Sequence, residues 1–162
     1  MELKSLLLFL CILSALLEAG YALSCNMCIN MNDPYCQGSS MDCPADNVCA
    51  SSYTVTYIYE SAVSKVFSRA CAPKSQCNIS GSASVPNGKI KIRINCCETD
   101  NCIPPTPTLP EDNVQRNGLT CETCGSDSSN YCDSDETMQC TGNERRCLLQ
   151  TTEQSDPRNC SN

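Results

Sequence analysis

The chain has 162 residues, among them 17 cysteines, two phenylalanines and no tryptophan. Cysteine at more than a tenth of all residues marks a disulfide scaffold, not a fold held by a large apolar core, provided the chain is made for an oxidising compartment. It has no histidine and a formal net charge of −7, which excludes imidazole-based catalytic dyads and histidine zinc sites and argues against nucleic acid or an anionic membrane as partner.

The N-terminus places the chain in such a compartment. Lys4 precedes an apolar run from Leu6 to Leu17, and Gly20-Tyr21-Ala22 supplies small residues at a cleavage position. Residues 1–22 are therefore expected to be a signal peptide, cleaved after Ala22, since the run is too short for a membrane span. Cleavage removes Cys11 and leaves 16 cysteines, an even number that can pair fully. It also removes Glu2, Glu18 and Lys4, leaving 16 acidic and 10 basic residues and a net charge of −6. That charge suits solubility in an extracellular fluid and favours a cationic partner.

The remainder repeats. Leu23-Ser24-Cys25-x-x-Cys28 matches Leu119-Thr120-Cys121-x-x-Cys124, and the cysteines that follow keep the same order: Cys36 or Cys132, Cys43 or Cys140, Cys49 or Cys147, Cys71 or Cys160. Two copies of one domain are expected, residues 23–102 and 119–162. Between them, residues 103–118 begin with Pro104, Pro105, Pro107 and Pro110, the composition of an extended, semi-rigid linker.

The first copy holds ten cysteines; five bridges at ~2–4 kcal/mol each would supply what its small core cannot. Its loops read as hairpins. The first, Cys28 to Cys43, is short and polar. In the second, Tyr53, Val55, Tyr57 and Tyr59 alternate with Thr54, Thr56 and Ile58, with a return arm over Val63 to Arg69 and a tip near Glu60 to Ser64. The third turns through Gly81 to Gly88, where Pro86-Asn87-Gly88 is a turn signal. It leads into Lys89-Ile90-Lys91-Ile92-Arg93-Ile94-Asn95. This strict alternation predicts a central strand with the isoleucines buried and the basic residues wet. It ends at Cys96 and Cys97, which point to opposite faces and must take different partners.

Three hairpins on one disulfide knot form an all-β three-finger fold. The CxxC start and the closing Cys96-Cys97-Glu98-Thr99-Asp100-Asn101-Cys102 resemble the domain shared by snake three-finger toxins, lymphocyte-antigen-type proteins and the urokinase receptor. The resemblance implies the pairs Cys25–Cys49, Cys28–Cys36, Cys43–Cys71, Cys77–Cys96 and Cys97–Cys102. It departs after the last cysteine, where that family usually has Asn and this chain has Ile103; the base is expected to close with less polar locking. In the second copy the same pattern implies Cys121–Cys147, Cys124–Cys132 and Cys140–Cys160. That copy lacks a counterpart of Cys77 onward, as a partial sequence or a shortened isoform would, and is expected to be the less ordered half with an exposed sheet edge.

Several motifs have a structural alternative. Paired CxxC motifs form Cys₄ zinc sites elsewhere, but here each continues into a cysteine ladder behind a leader, which points to disulfides, with no metal and no cofactor. Asn78-Ile79-Ser80 is a candidate glycosylation site, and Asn159-Cys160-Ser161 a weaker one. The row Tyr53, Tyr57 and Tyr59 is a candidate partner contact, since tyrosine is favoured at interfaces, or an ordinary strand face. Lys65, Arg69, Lys89, Lys91 and Arg93 read as a solvated face. No apolar tail follows Cys160, so the chain as given carries no lipid-anchor signal.

Within this fold, the run Ile92-Arg93-Ile94-Asn95-Cys96-Cys97-Glu98, the Pro-rich linker, Asn117-Gly118 and Cys140-x-Gly142-x-Glu144-x-x-Cys147 resemble the gamma-type phospholipase A₂ inhibitors of vertebrate serum. The resemblance implies a secreted, non-enzymatic protein that blocks phospholipase A₂ by complex formation and assembles as a homo-oligomer. The same scaffold also resembles sodefrin-type secreted pheromones and lymphocyte-antigen-type receptor modulators, which would make the chain a signalling ligand or a receptor partner.

Overall fold

The computed structural model describes residues 22–123 and 136–148. The leader, Cys124, Cys132, Cys160 and the Asn159 sequon lie outside the described residues. The chain divides into two units, the first ending at Asp112 and the second starting at Asn113.

In the first unit six strands form one antiparallel sheet: β1 (Ser24–Asn30), β2 (Ser39–Asp42), β3 (Asn47–Ile58), β4 (Ser61–Pro73), β5 (Ser80–Val85) and β6 (Gly88–Cys97), in the order β2-β1-β4-β3-β6-β5. The hairpins β1/β2, β3/β4 and β5/β6 are the three fingers. Their roots meet where five disulfides form: Cys25–Cys49, Cys28–Cys36, Cys43–Cys71, Cys77–Cys96 and Cys97–Cys102. Cys25, Cys43 and Cys49 form the buried centre, with Leu23, Cys71, Cys97 and Cys102 packed around it. The adjacent Cys96 and Cys97 do take different partners, as opposite-facing strand neighbours must. Polar contacts lock the base. Ser24 N–H donates to Asp100 Oδ1 at 2.8 Å, and Asn101 N–H donates to Ser24 O at 2.8 Å.

The central strand is β3, not the Lys89 strand. It pairs with β4 from Asn47↔Pro73 to Ile58↔Ser61 and with β6 from Cys49↔Cys97 to Ile58↔Gly88. β6 lies one place out, between β3 and β5. Finger two is also longer than its sequence signals suggest. Its turn is Tyr59-Glu60 alone, both left-handed at φ 47° and 64°, and the return arm begins at Ser61. Asn-Gly ordinarily marks such a two-residue turn; Tyr-Glu gives no signal. The turn is held instead from the side, because Tyr59 N–H donates to Asn87 O at 2.9 Å. Finger three turns at Pro86-Asn87, where Asn87 is left-handed at φ 60°, a role asparagine tolerates.

The faces of β6 depart from expectation, most clearly at Lys91. Ile90, Ile92 and Ile94 are only half-buried, whereas Lys91 is 7% exposed. Alternation fixes which residues share a face; the segment that lies on the sheet decides which face is inside. Here that segment is the Pro-rich stretch expected as a linker. Residues 104–112 run across the Ser51–Val55–Lys91–Asn95 face as a strap, with Pro104 and Pro107 buried. Prolines lack N–H groups, so such a strap offers mainly carbonyls. The sheet answers with side-chain donors: Ser51 Oγ to Pro104 O at 3.4 Å, Asn95 Nδ2 to Pro105 O at 3.2 Å and Lys91 Nζ to Pro110 O at 3.2 Å.

The second unit carries a two-stranded sheet, β7 (Arg116–Glu122) and β8 (Thr137–Thr141). Asn117 Nδ2 donates to Gly142 O at 3.2 Å and to Glu144 O at 2.6 Å, which closes the end of this ribbon. Cys121 is bonded to Cys147. Cys140 is buried and forms no disulfide among the described residues; its Sγ lies 3.4 Å from Cys121 Sγ.

Candidate binding surface

The register of β1 and β3 to β6 divides the sheet of the first unit chemically. Every charged residue of these strands (Lys65, Arg69, Lys89, Lys91 and Arg93) falls on the strap-bearing face, since Ser51 pairs with Arg69, Tyr53 with Arg93, and Val55 with both Lys65 and Lys91. The opposite face carries Ser52, Thr54, Thr56 and Ile58 of β3, Ser64, Val66 and Ser68 of β4, and Ile90, Ile92 and Ile94 of β6. Gly81 and Ala83 of β5 and Ile29 of β1 extend it. Among the described residues it is free of charge, and none of these positions is buried.

The cationic face is not the solvated surface that its composition suggests. Arg69 is 7% exposed. Its Nη1 donates to Cys36 O at 2.7 Å, and its guanidinium lies 5.4 Å from the Tyr35 ring and 5.5 Å from the Phe67 ring. The first finger's loop thus folds over this part of the sheet, and a planar cation serves as packing there. Arg69 Nε is buried without a hydrogen-bond partner. Lys91 is held from three sides: Asp112 Oδ1 at 2.7 Å, Pro110 O at 3.2 Å and the Tyr57 ring at 5.4 Å. No local sequence signal marks either contact, because both covering segments are distant in the chain.

The tyrosine row does not form one contact surface. Tyr53 and Tyr57 share the covered face and are half-buried. Burial pushes the Tyr53 hydroxyl pKa up, with Tyr57 and Asp33 adding to the effect. Tyr59 alone stands clear, 75% exposed at the tip of finger two. Exposed apolar side chains also gather at the tips of fingers one and two, where Met31 and Val63 line one groove with Lys65. Asn78 is exposed and left-handed at φ 59°, between Cys77 and β5, a position a glycan could occupy. The sulfurs of Cys25, Cys43 and Cys71 lie within 4.8 Å of one another. All three are committed to disulfides, so they offer no thiolate to a metal. Among the described residues no helix is long and apolar enough to cross a membrane.

The chain is similar to a gamma-type phospholipase A2 inhibitor chain of Gloydius brevicaudus siniticus, at 29% identity over 145 residues, 87% of this chain and 71% of that protein. No solved structure matches it. The u-PAR/Ly-6 domain family matches residues 21–105 and again residues 117–161. With that double match, three disulfide-rooted fingers and an all-β sheet, the chain belongs to the u-PAR/Ly-6 domain family.

Proposed function

We propose that the protein is secreted and inhibits a secreted phospholipase A₂ by forming a complex with it, catalysing nothing itself. The observation that carries this reading is the similarity to a phospholipase A2 inhibitor across 87% of the chain. That it is a binding protein already follows from its family. Physical features support the inhibitory role. Five disulfides fix the first unit before it meets a partner, which lowers the ordering cost of association. The net charge of −6 expected after cleavage of the leader would speed encounter with a basic enzyme at low salt. The action would be occlusion: the rigid sheet covers the entrance by which lipid reaches the enzyme.

The test is a titration of the mature, oxidised protein against several acidic and basic secreted phospholipases A₂, with binding by calorimetry and hydrolysis of vesicle lipid followed together. Loss of hydrolysis in step with complex formation is expected for at least one enzyme. Absence of binding to all of them at micromolar concentration would overturn the reading.

A further inference from the structure

We propose that the neutral face of the first unit's sheet, centred on Thr54, Val66 and Ile92, is the surface that takes the enzyme's apolar, lipid-facing rim. The proposal rests on the inhibitory reading above and adds the place of contact, which is neither the tyrosine row nor the cationic face.

Charge is segregated across this sheet. All five charges of the strands lie on one face of a single layer, and that face is occupied by the strap and the first finger's loop. The other face is buried only at its root, by Val48, Ala50 and Ala72; from Ser52 to Ile58, and at the β4 and β6 positions opposite them on that face, none is buried. Threonine, serine, valine and isoleucine on it offer no ionic group. Gly81 leaves a flat place there, where an added Cβ would meet nothing within 4 Å. An enzyme surface that rests on lipid is itself apolar. Pressing a charged surface against it would strand desolvated charge, which is strongly unfavourable; a neutral face carries no such penalty.

Size agrees with this. Along the neutral face β3 and β6 pair from Ser52 to Ile58, ~23 Å of strand, and with β4 and β5 alongside the face is ~15–20 Å wide. That is the same order as the ~800 Å² each partner contributes to a standard interface.

The experiment uses the full mature protein and a panel of acidic and basic secreted phospholipases A₂. Ile92→Lys and Thr54→Glu each place one charge in the middle of the face, and Lys65→Glu changes charge on the opposite face. Peptide mapping of the bridges verifies each fold, with Thr56→Glu replacing either central variant should it misfold. Both central variants are expected to weaken binding at least ~30-fold, as loss of an interface hot spot does, and Lys65→Glu by no more than ~3-fold. If all variants bind as well as the parent, the proposal is overturned while the inhibitory reading survives. If the parent binds no enzyme, both fall. If sedimentation shows the parent self-associating, Ile92→Lys monomeric and enzyme binding unchanged, the face belongs to a second copy and the proposal is wrong.

Discussion

Lys91 Nζ and Asp112 Oδ1 lie 2.7 Å apart, joining the sheet to the end of the strap, but the two partners are unequally buried, with side-chain exposures of 8% and 57%. The asymmetry fixes what each substitution does. Asp112→Asn removes the countercharge and leaves a buried ammonium with neutral partners alone: an amide oxygen at residue 112, Pro110 O and the Tyr57 ring. The expected cost is about 1 kcal/mol, the upper range for a half-exposed pair. Lys91→Met removes the buried charge and keeps a flexible apolar stem in its place, so it is expected within ~0.5 kcal/mol of the parent. Equilibrium urea unfolding of the oxidised protein measures both. A Lys91→Met change costlier than Asp112→Asn would show that the pair contributes net attraction beyond relief of a buried charge.

Gly88 and Gly81 sit in adjacent strands and answer oppositely to an added methyl. At Gly88 a Cβ would come 2.0 Å from Tyr57 O and 2.7 Å from Ile58 Cδ1. The first of these is backbone that holds the β3/β6 register, so it cannot step aside. Gly88→Ala is expected to cost roughly 2–3 kcal/mol, within the range for overpacking. At Gly81 the space is open, and Gly81→Ala is expected to be neutral or slightly stabilising, because alanine has less chain entropy to lose. Thermal unfolding of the two variants tests the contrast.

The cysteine order and the two-residue alternation bring the fold into view, because both are local properties of the sequence. The β6 pattern marks the strand, and Pro86-Asn87 marks its turn. The pattern does not say which face of β6 is inside. That depends on residues 104–112, a segment whose prolines read as linker and whose docking needs donors from Ser51, Lys91 and Asn95. Arg69 reads as solvated for the same reason, since its cover comes from Tyr35 and Cys36 in another finger. The Tyr59-Glu60 turn is invisible in the sequence because neither residue favours a left-handed backbone.

Asp100 links the closing loop to the start of β1. Its carboxyl pKa is lowered from the ordinary 3.8, first by the hydrogen bond from the Ser24 backbone N–H, against an opposing desolvation, with smaller contributions from the Ser24 side chain and from Asn101. A lowered folded-state pKa means that the carboxylate form stabilises the fold. That contribution is complete above the unfolded value and is lost as pH falls through the folded one. The Ser24 amide is therefore expected to stay protected at neutral pH and to loosen only below about pH 4. Titration of Asp100 by NMR, alongside exchange at Ser24, checks this. In Asp100→Asn the acid-dependent loosening should be absent.

The five bridges of the first unit close loops of different length, which ranks them. Cys43–Cys71 spans 28 residues and Cys97–Cys102 spans 5. On the chain-entropy relation these constrain the unfolded chain by roughly 3.5 and 2 kcal/mol. Paired Cys→Ala substitution is therefore expected to destabilise more at the first, and more again because Cys43 belongs to the buried centre. Denaturant unfolding of the two double variants gives the order. Peptide mapping of the unreduced parent should find Cys97 with Cys102 and Cys96 with Cys77; a Cys96–Cys97 bond would contradict the knot described above.

The tip of finger two is held in a conformation that its residues disfavour. Tyr59 and Glu60 are both left-handed, at φ 47° and 64°, which costs roughly 1–2 kcal/mol per ordinary residue. Glu60→Gly removes that strain but adds ~0.4–1 kcal/mol of unfolded-chain entropy, so a net gain of about 0.5 kcal/mol is expected. Tyr59→Asn avoids the entropy term, because asparagine tolerates the left-handed region with its side chain intact. It should gain slightly more, since Tyr59 is 75% exposed and has little packing to lose. The bond from residue 59 N–H to Asn87 O is backbone to backbone and survives both changes. The double variant, with the Asn-Gly pair that such turns favour, is expected to raise stability by about 1 kcal/mol. That corresponds to a few degrees in Tm for a unit of this size. A loss of stability would mean that the tyrosine side chain holds the tip through contacts its exposure does not suggest.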